Sequence, residues 1–206
     1  VIRLEAAYVL QQGITDAKGG NIEIQAENAY FGDGKTTVAN PDGKGGIINI
    51  NTTSSLDAVF AHEINASGAE GGSINIDGGQ YGRIMLSSKL FATGYTAKGG
   101  LIEATAYNAS LLGATVNADG LTEGGTIHWG GGWQGSGSLR HADYAFIGPG
   151  SLLSTKGGQK GGEIVTWSKE TTRFYGKADA STEGTVPIYG PTQVRRGLSL
   201  FTDRRS

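Results

Sequence analysis

The chain contains no cysteine among its 206 residues. It therefore cannot form disulfide bonds, thiolate metal sites or a cysteine nucleophile. Proline is scarce as well, with four residues, and charged residues make up only 17% of the chain. The formal net charge is −2. A charge so close to zero gives no electrostatic attraction to nucleic acid or to an anionic membrane, so we expect neither as a partner.

Long hydrophobic runs are also missing. No apolar stretch approaches the ~18 residues that a membrane-spanning helix requires, so we expect no membrane insertion. The chain begins at Val1, without an initiating methionine or a signal peptide. We therefore expect it to be a processed piece or an excerpt of a longer protein.

Glycine, by contrast, is abundant, with 36 residues. Abundant glycine often indicates disorder, but here the glycines recur in one phrase, a glycine pair followed by alternating apolar residues. The first glycines of six copies lie 26, 26, 28, 25 and 37 residues apart, and such self-similarity is typical of repeat architectures. The copies cover residues 19–24, 45–50, 71–76, 99–104, 124–129 and 161–166, and a worn seventh copy covers 183–188.

The alternation in each copy predicts a short strand with one buried face. Such a strand must pair with neighbours to satisfy its backbone groups, so each copy is expected to stack on the next. The glycine pair supplies the corner before the strand, either through a positive φ or because close backbone packing excludes a Cβ. Stacking forms one inward ladder of Ile22, Ile48, Ile74, Ile102, Ile127, Ile164 and Val186.

Coils of about 25 residues are too short for a leucine-rich horseshoe, and the chain has no helical stretch. The sequence therefore predicts an all-β fold, a parallel β-helix of about seven coils. Residues 1–190 form the β-helix segment, and residues 191–206 form a degenerate coil or tail. Residues 1–18 are expected to be the tail of an earlier coil.

Further strands and turns are predicted between the corners. The candidate strands are residues 59–64, 84–86, 89–92 and 111–116. Phrases of small turn-forming residues predict a bend before the corners, at residues 65–68, 117–120 and 179–181. The 37-residue gap holds a glycine-rich passage, residues 130–137, which is either an outward loop or an enlarged coil.

The residue before each glycine pair is usually charged. In order these residues are Lys18, Lys44, Glu70, Lys98, Glu123 and Lys160, then Thr182 in the worn copy. From Lys44 onward the sign alternates, so stacking in register gives each interior member opposite charges above and below. The alternation either fixes the register of the coils or reflects a simple preference for solvated charges at corners.

A more specific phrase stands near the end of the repeat. Residues 167–176 read Trp-x-x-x-Thr-Thr-x-Phe-Tyr-Gly, after the glycine-rich passage with its Trp133. This order resembles the repeat regions of two-partner-secretion exoproteins, the filamentous-haemagglutinin-like adhesins of Gram-negative bacteria. The resemblance is closest over residues 117–190 and looser over residues 13–116.

The resemblance implies a long right-handed β-helix, secreted or held at the cell surface after export through an outer-membrane transporter partner. A chain without cysteine suits passage through the periplasm in an unfolded state. The chain departs from the family in two respects. It has no Asn-Pro-Asn-type secretion motif, since residues 40–42 lie mid-chain in an expected turn, and its seventh copy carries Pro187 on the strand.

The expected function is a structural and adhesive segment of a large secreted bacterial surface protein, serving adhesion, biofilm or filament formation. Its partners are host or bacterial surface glycans or proteins. The alternative is a haem- or carbohydrate-binding module on the same scaffold. Because a terminal coil leaves backbone groups unpaired, the segment is also expected to associate end to end or aggregate, unless residues 190–206 fold over as a cap.

An enzyme is the least favoured interpretation. Some β-helices cleave polysaccharides with clustered carboxylates, but Glu23 and Glu103 are expected to lie three coils, ~14 Å, apart. His62, His128 and His141 show no metal-ligand spacing and are expected to be packed or solvated surface residues. We therefore predict no catalytic residues, no metal site and no cofactor.

Aromatic residues crowd the later repeats, and most are expected to fill the interior. The exception is Trp133, whose glycine-rich passage is expected to be exposed. Exposed aromatic rings can stack on the apolar faces of sugars. The predicted ligand surface comprises Trp133, Gln134, His141 and Tyr144. Asn-x-Ser/Thr sequons occur at Asn51, Asn65 and Asn108, and chance is the default explanation for them.

Overall fold

The computed structural model describes residues 1–59 and 61–182, and these residues form the predicted parallel β-helix. All pairings between its strands are parallel. The strands are β1 (Ile2–Asp16), β2 (Asn21–Thr37), β3 (Asn40–Lys44), β4 (Ile47–Ala58), β5 (His62–Asn65), β6 (Gly68–Glu70), β7 (Ser73–Asp77), β8 (Arg83–Leu86), β9 (Lys89–Phe91), β10 (Leu101–Thr105), β11 (Asn108–Leu111), β12 (Thr115–Asn117), β13 (Thr126–Trp129), β14 (Tyr144–Ile147), β15 (Leu152–Ser154), β16 (Glu163–Thr166), β17 (Thr171–Phe174) and β18 (Lys177–Asp179).

Three columns of strands run along the β-helix. The first column holds the strands that follow the glycine corners: the starts of β1, β2 and β4, then β7, β10, β13 and β16. The second continues from later parts of the same long strands into β8, β11, β14 and β17. The third runs from the ends of β1 and β2 through β5, β9, β12, β15 and β18.

Seven coils follow from this pairing. Coils 1 to 7 cover residues 2–18, 21–44, 47–70, 73–98, 101–123, 126–160 and 163–182. Residues 1–18, expected to be the tail of an earlier coil, instead supply a whole coil, because the continuous strand β1 reaches all three columns. The worn copy at 183–188 with Val186 and Pro187, and the boundary between residues 190 and 191, lie outside the described residues.

The inward isoleucine ladder is confirmed. Its six described members, at the same register in consecutive coils, are Ile22, Ile48, Ile74, Ile102, Ile127 and Ile164, and each is 0–1% exposed. Each buried isoleucine contributes ~1.5–3 kcal/mol through removal of its surface from water. Two residues further on, the inward position holds Ile24, Ile50, Ile76, Ala104, Trp129 and Thr166 in turn.

The prediction that most of the late aromatics fill the interior is wrong. Trp129 is fully buried, and its indole N–H donates to the Ala109 carbonyl at 3.1 Å. The other aromatics of this group are half-buried or exposed. Strand alternation points Tyr144 and Phe146 outward while Ala145 and Ile147 point inward. Phe174, which pairs with Ile147, is half-buried against the core. The late coils are filled instead by small and aliphatic residues.

The glycine corners arise from close packing. A Cβ on Gly99 would lie 1.9 Å from the Ala118 oxygen, and one on Gly124 would lie 1.8 Å from the Thr155 oxygen. Neither residue has a positive φ; among the paired glycines, Gly19 alone does, at +65°. Parallel bridges also connect a further glycine row that the sequence reading did not single out, Gly68, Gly94, Gly120 and Gly157.

The bends predicted at residues 65–68, 117–120 and 179–181 are confirmed and have a simple cause. Asn65 and Asn117 accept hydrogen bonds from the backbone N–H two residues ahead, at 2.8 and 2.7 Å. Asp179 does the same for Ser181 at 3.1 Å. These local side-chain bonds are the asparagine and aspartate turns that such residues favour.

Strands at residues 84–86 and 89–92 are confirmed by β8 and β9, but other local predictions need correction. Residues 111–116 are not one strand, because Gly113, with φ +72°, turns the chain between β11 and β12. Residues 59–64 do not form one strand either, since β5 begins only at His62; Phe60 lies outside the described residues. Residues 40–42, expected in a turn, begin β3, whose register shifts between Asn40 and Lys44.

The described part of the chain contains one short 3-10 turn, Trp133–Gly135, and no α-helix. None of its helical segments has the length and apolarity needed to cross a membrane.

Candidate functional site

The main departure from the regular coil is a loop in coil 6. β13 ends at Trp129 and β14 begins at Tyr144, whereas the equivalent link in coil 5 is two residues long. Residues 130–143 therefore form an outward loop, which decides between the two alternatives for the 37-residue gap. The loop closes on itself where the Ala142 N–H donates to the Gly130 carbonyl at 2.6 Å.

Trp133 and Gln134 lie in the 3-10 turn of this loop. The Ser136 N–H donates to the Trp133 carbonyl at 2.8 Å. Gln134 has a φ of 50°, a left-handed conformation that is uncommon outside glycine. Trp133 is 39% exposed, so the prediction that it reaches the surface is confirmed.

His141 packs against the base of the same loop. Its ring meets the ring of Trp167 edge to face, with centroids 4.6 Å apart. A Cβ on Gly131 or Gly135 would lie 2.9 or 3.1 Å from the Trp167 ring, so the loop backbone rests directly on that indole. The glycines thus allow the loop to cover Trp167, and His141 flanks it.

Tyr144 belongs to a second ring contact. It is 40% exposed on β14, and its ring meets that of Tyr107 edge to face at 5.5 Å. Tyr107 is 39% exposed. The four residues of the predicted ligand surface therefore lie in three places. Trp133 and Gln134 are in the 3-10 turn, His141 contacts Trp167, and Tyr144 contacts Tyr107.

An ion pair fixes the loop to the body. Arg140 donates to the Asp77 carboxylate of β7, two coils away, and the same oxygen accepts the Gly79 N–H at 2.8 Å. The side chains of Arg140 and Asp77 are 28% and 44% exposed. The loop thus lies back along the β-helix beside coil 5.

The outward face of the first column carries a row of polar contacts between coils. Arg3 binds Glu23 at 2.6 Å, and the Asn75 amide donates to Asn49 at 2.8 Å. Asn49 and Asn75 lie between Glu23 and Glu103 in this row. The two carboxylates are therefore three coils apart, as predicted, and do not meet. The row consists of neighbour-to-neighbour bonds.

His128 joins this row and is the functional group that sequence reasoning missed. Its Nδ1 lies 2.9 Å from Glu103, and its Nε2 lies 2.9 Å from Glu163. Burial lowers the pKa of His128, but the hydrogen bonds and charges of the two glutamates outweigh burial and raise it above its ordinary 6.5. One signal was present: Glu103 and His128 occupy the same offset from their glycine pairs.

His62 is an interior residue, so its expected surface position is wrong. The ring is fully buried beside Phe31, with centroids 5.1 Å apart. Its Nδ1 lies 2.8 Å from the Gly32 carbonyl, and its Nε2 lies 3.1 Å from the Thr36 hydroxyl. Burial lowers its pKa, and the Gly32 bond and the Glu63 charge offset this only in part. His62 is thus a neutral core residue in which Nδ1 donates and Nε2 accepts.

The charged row beside the glycine corners is partly paired. Glu70 lies 3.2 Å from Lys44 and 3.9 Å from Lys98. A parallel β-bridge pairs the backbone of Glu123 with that of Lys160. Among the described residues, however, no ion pair joins the Glu123 side chain to Lys98 or Lys160. The row borders a groove of about 330 Å³ floored by glycine backbone. Its alternating charges favour neither anions nor cations.

The sequons differ in accessibility. Asn51 and Asn108 are exposed, while Asn65 is 8% exposed and its amide is bonded to Glu63 and to the Ser67 N–H.

Within residues 1–59 and 61–182, no group of three His, Asp or Glu side chains is placed to hold a metal ion. No family model and no curated protein matches the chain.

Proposed function

We propose that the chain is a structural and adhesive segment of a large secreted bacterial surface protein. The observation that carries this proposal is that the hydrogen bonds and ion pairs on the surface run along the axis of the β-helix. Contacts such as Arg3–Glu23, Asn49–Asn75 and Lys44–Glu70 each connect one coil to the next. Side chains arranged in this way stiffen a rod and do not converge on a reacting group.

The dimensions suit surface display. Six steps of ~4.8 Å between seven coils give a rod of about 29 Å, and a longer parent repeat would lengthen it in proportion. The phrase at residues 167–176, with its resemblance to filamentous-haemagglutinin-like exoproteins, supports a bacterial surface role and export through an outer-membrane transporter. The outer edge of β1 supports end-to-end association, because a strand edge offers unpaired backbone groups.

The test is adhesion by the folded rod. Beads coated with the chain are expected to bind cells or glycan- and protein-coated surfaces. Beads carrying Ile74→Asp, which places an unpaired charge in the core and collapses the coils, are expected not to bind. Release of new sugar ends from a polysaccharide, without adhesion, would instead point to an enzyme.

A second candidate, carbohydrate binding, is favoured by the exposed rings of Trp133, Tyr107 and Tyr144. Aromatic faces can pack on the C–H faces of sugar rings, and the Trp133 turn stands beside the β-helix. Calorimetric titration with oligosaccharides should show a heat of binding that is lost in the Trp133→Ala variant. The Tyr8→Ala variant, in which an exposed ring of coil 1 is removed, is the control and should bind with the same heat as the parent. Equal heat from both variants would rule out this surface.

Haem binding is less favoured than carbohydrate binding, because His141 packs against Trp167 and His62 is buried.

A further inference from the structure

The contacts of His128 require a particular protonation state. A neutral imidazole has one N–H donor and one acceptor nitrogen, whereas the imidazolium has two donors. Both ring nitrogens of His128 lie 2.9 Å from carboxylate oxygens, which can only accept when ionised. Only the imidazolium therefore satisfies both contacts.

We propose that Glu103, His128 and Glu163 form a proton-dependent clasp across coils 5, 6 and 7. With two ring protons, His128 binds a carboxylate on each neighbouring coil. With one ring proton it can donate to only one glutamate, and its other nitrogen then faces a carboxylate with no hydrogen between them. Loss of a single proton thus releases one neighbouring coil from the clasp.

The protonation of the His128 ring depends on these two carboxylates, because the surrounding positions are uncharged or already paired. The charged groups that act on His128 in the described part of the chain are Glu103 and Glu163. Neighbouring positions on the same three strands are uncharged: Leu101 and Thr105 on β10, Thr126 on β13 and Val165 on β16. Arg140 of the nearby loop is occupied by Asp77.

The two sides of the clasp differ in exposure, which decides the side that opens. The Glu163 side chain is 45% exposed and that of Glu103 is 27% exposed. Water can replace the ring more easily at the more exposed carboxylate. The neutral ring therefore keeps its Nδ1 proton on Glu103, and coil 7 loses its contact first.

The sign of the pH dependence follows from the raised pKa of His128. A group whose pKa is higher in the folded than in the unfolded state stabilises the fold fully below the unfolded value, here about 6.5. This stabilisation is lost as the pH rises through the folded value. The clasp thus holds coil 7 most firmly under mildly acidic conditions, and this contact within the proposed adhesive rod tightens as its surroundings acidify.

Nuclear magnetic resonance of the whole chain tests the proposal. The His128 ring is expected to titrate above pH 6.5, and Glu103→Gln and Glu163→Gln should each lower that midpoint. Above the midpoint, the ring nitrogen shifts should report a proton on Nδ1. Amide protection in β16, corrected for intrinsic exchange, should fall by about tenfold per unit of pKa shift between acidic and alkaline pH.

Glu170→Gln is the matched control, because it removes the same charge from an exposed position in the same coil. It should retain the pH dependence of β16 protection, and Glu163→Gln should lose it. Effects of His62 are common to all these variants and cancel in the comparison. A His128 midpoint at or below 6.5 in the parent chain would overturn the proposal, even if no variant folds. So would an unchanged pH dependence in folded Glu163→Gln.

Discussion

Replacing Gly99 with alanine tests the close packing at the corners. The added Cβ would lie 1.9 Å from the Ala118 oxygen and 2.7 Å from the Gly125 nitrogen, where ordinary contact begins at 3.4 Å. The neighbouring backbone must therefore retreat by about 1.5 Å to restore van der Waals contact. That movement strains the bond from the Gly125 N–H to the Ala118 carbonyl, now 2.7 Å long.

The expected cost combines two effects. Overpacking in a well-packed interior costs ~1–3 kcal/mol, and each weakened backbone hydrogen bond adds ~0.5–1.5 kcal/mol. Gly99→Ala should therefore lower the free energy of unfolding by roughly 2–4 kcal/mol. Backbone strain adds nothing to this figure, because Gly99 has no positive φ.

Chemical denaturation followed by circular dichroism measures this loss, with Gly43→Ala as the control. A Cβ at Gly43 meets only the side-chain amide of Asn40, at 2.7 Å, and that amide can rotate away. Gly43→Ala should change stability by less than about 1 kcal/mol. If the two variants unfold at the same denaturant concentration, the packing explanation of the corner is refuted.

Three further predictions concern charge and association. Glu70→Lys replaces the ion pairs with Lys44 and Lys98, at 3.2 and 3.9 Å, by three lysines on successive coils. The melting temperature should therefore fall at low salt and return to the parent value at high salt. No salt-dependent difference from the parent would favour simple solvation of corner charges. His62 has a lowered pKa, so the fold should lose stability as the pH falls below 6.5 and through the folded pKa of this ring. His62→Gln should reduce that loss in acid titrations followed by circular dichroism, and an equal acid sensitivity in both proteins would contradict this reasoning. Sedimentation should detect association at high concentration with residues 190–206 deleted, and a clean monomer would count against pairing of strand edges.

The sequence predicted the fold because the repeat combines two independent signals. Alternation identified the inward face of each short strand, and the fixed offset from the glycine pair aligned one coil with the next. Ile22 and Ile164, five coils apart in the stack, therefore fell in the same buried row. The turn phrases succeeded for a similar reason, because Asn65 and Asn117 bond to their own neighbouring backbone.

The surface was less predictable because its contacts depend on the full register of the coils. His128 and Glu103 share an offset, but Glu163 stands two residues earlier in its copy and reaches the ring diagonally. The prediction that most late aromatics are buried failed for a related reason, since apolar character alone suggested burial while strand alternation points Phe146 outward. The folding of the loop onto Trp167 follows from tertiary contacts that no local pattern encodes.

The inside and outside of the first column can be compared at two adjacent residues. Ile47 and Ile48 are chemically identical neighbours on β4, yet Ile47 is 39% exposed and Ile48 is fully buried. If the coils stack as described, Ile48→Ala should lower the free energy of unfolding by ~2–5 kcal/mol, and Ile47→Ala should change it by no more than ~0.5 kcal/mol. Equal losses, or a larger loss at Ile47, measured by urea denaturation of the two variants side by side, would contradict the parallel β-helix.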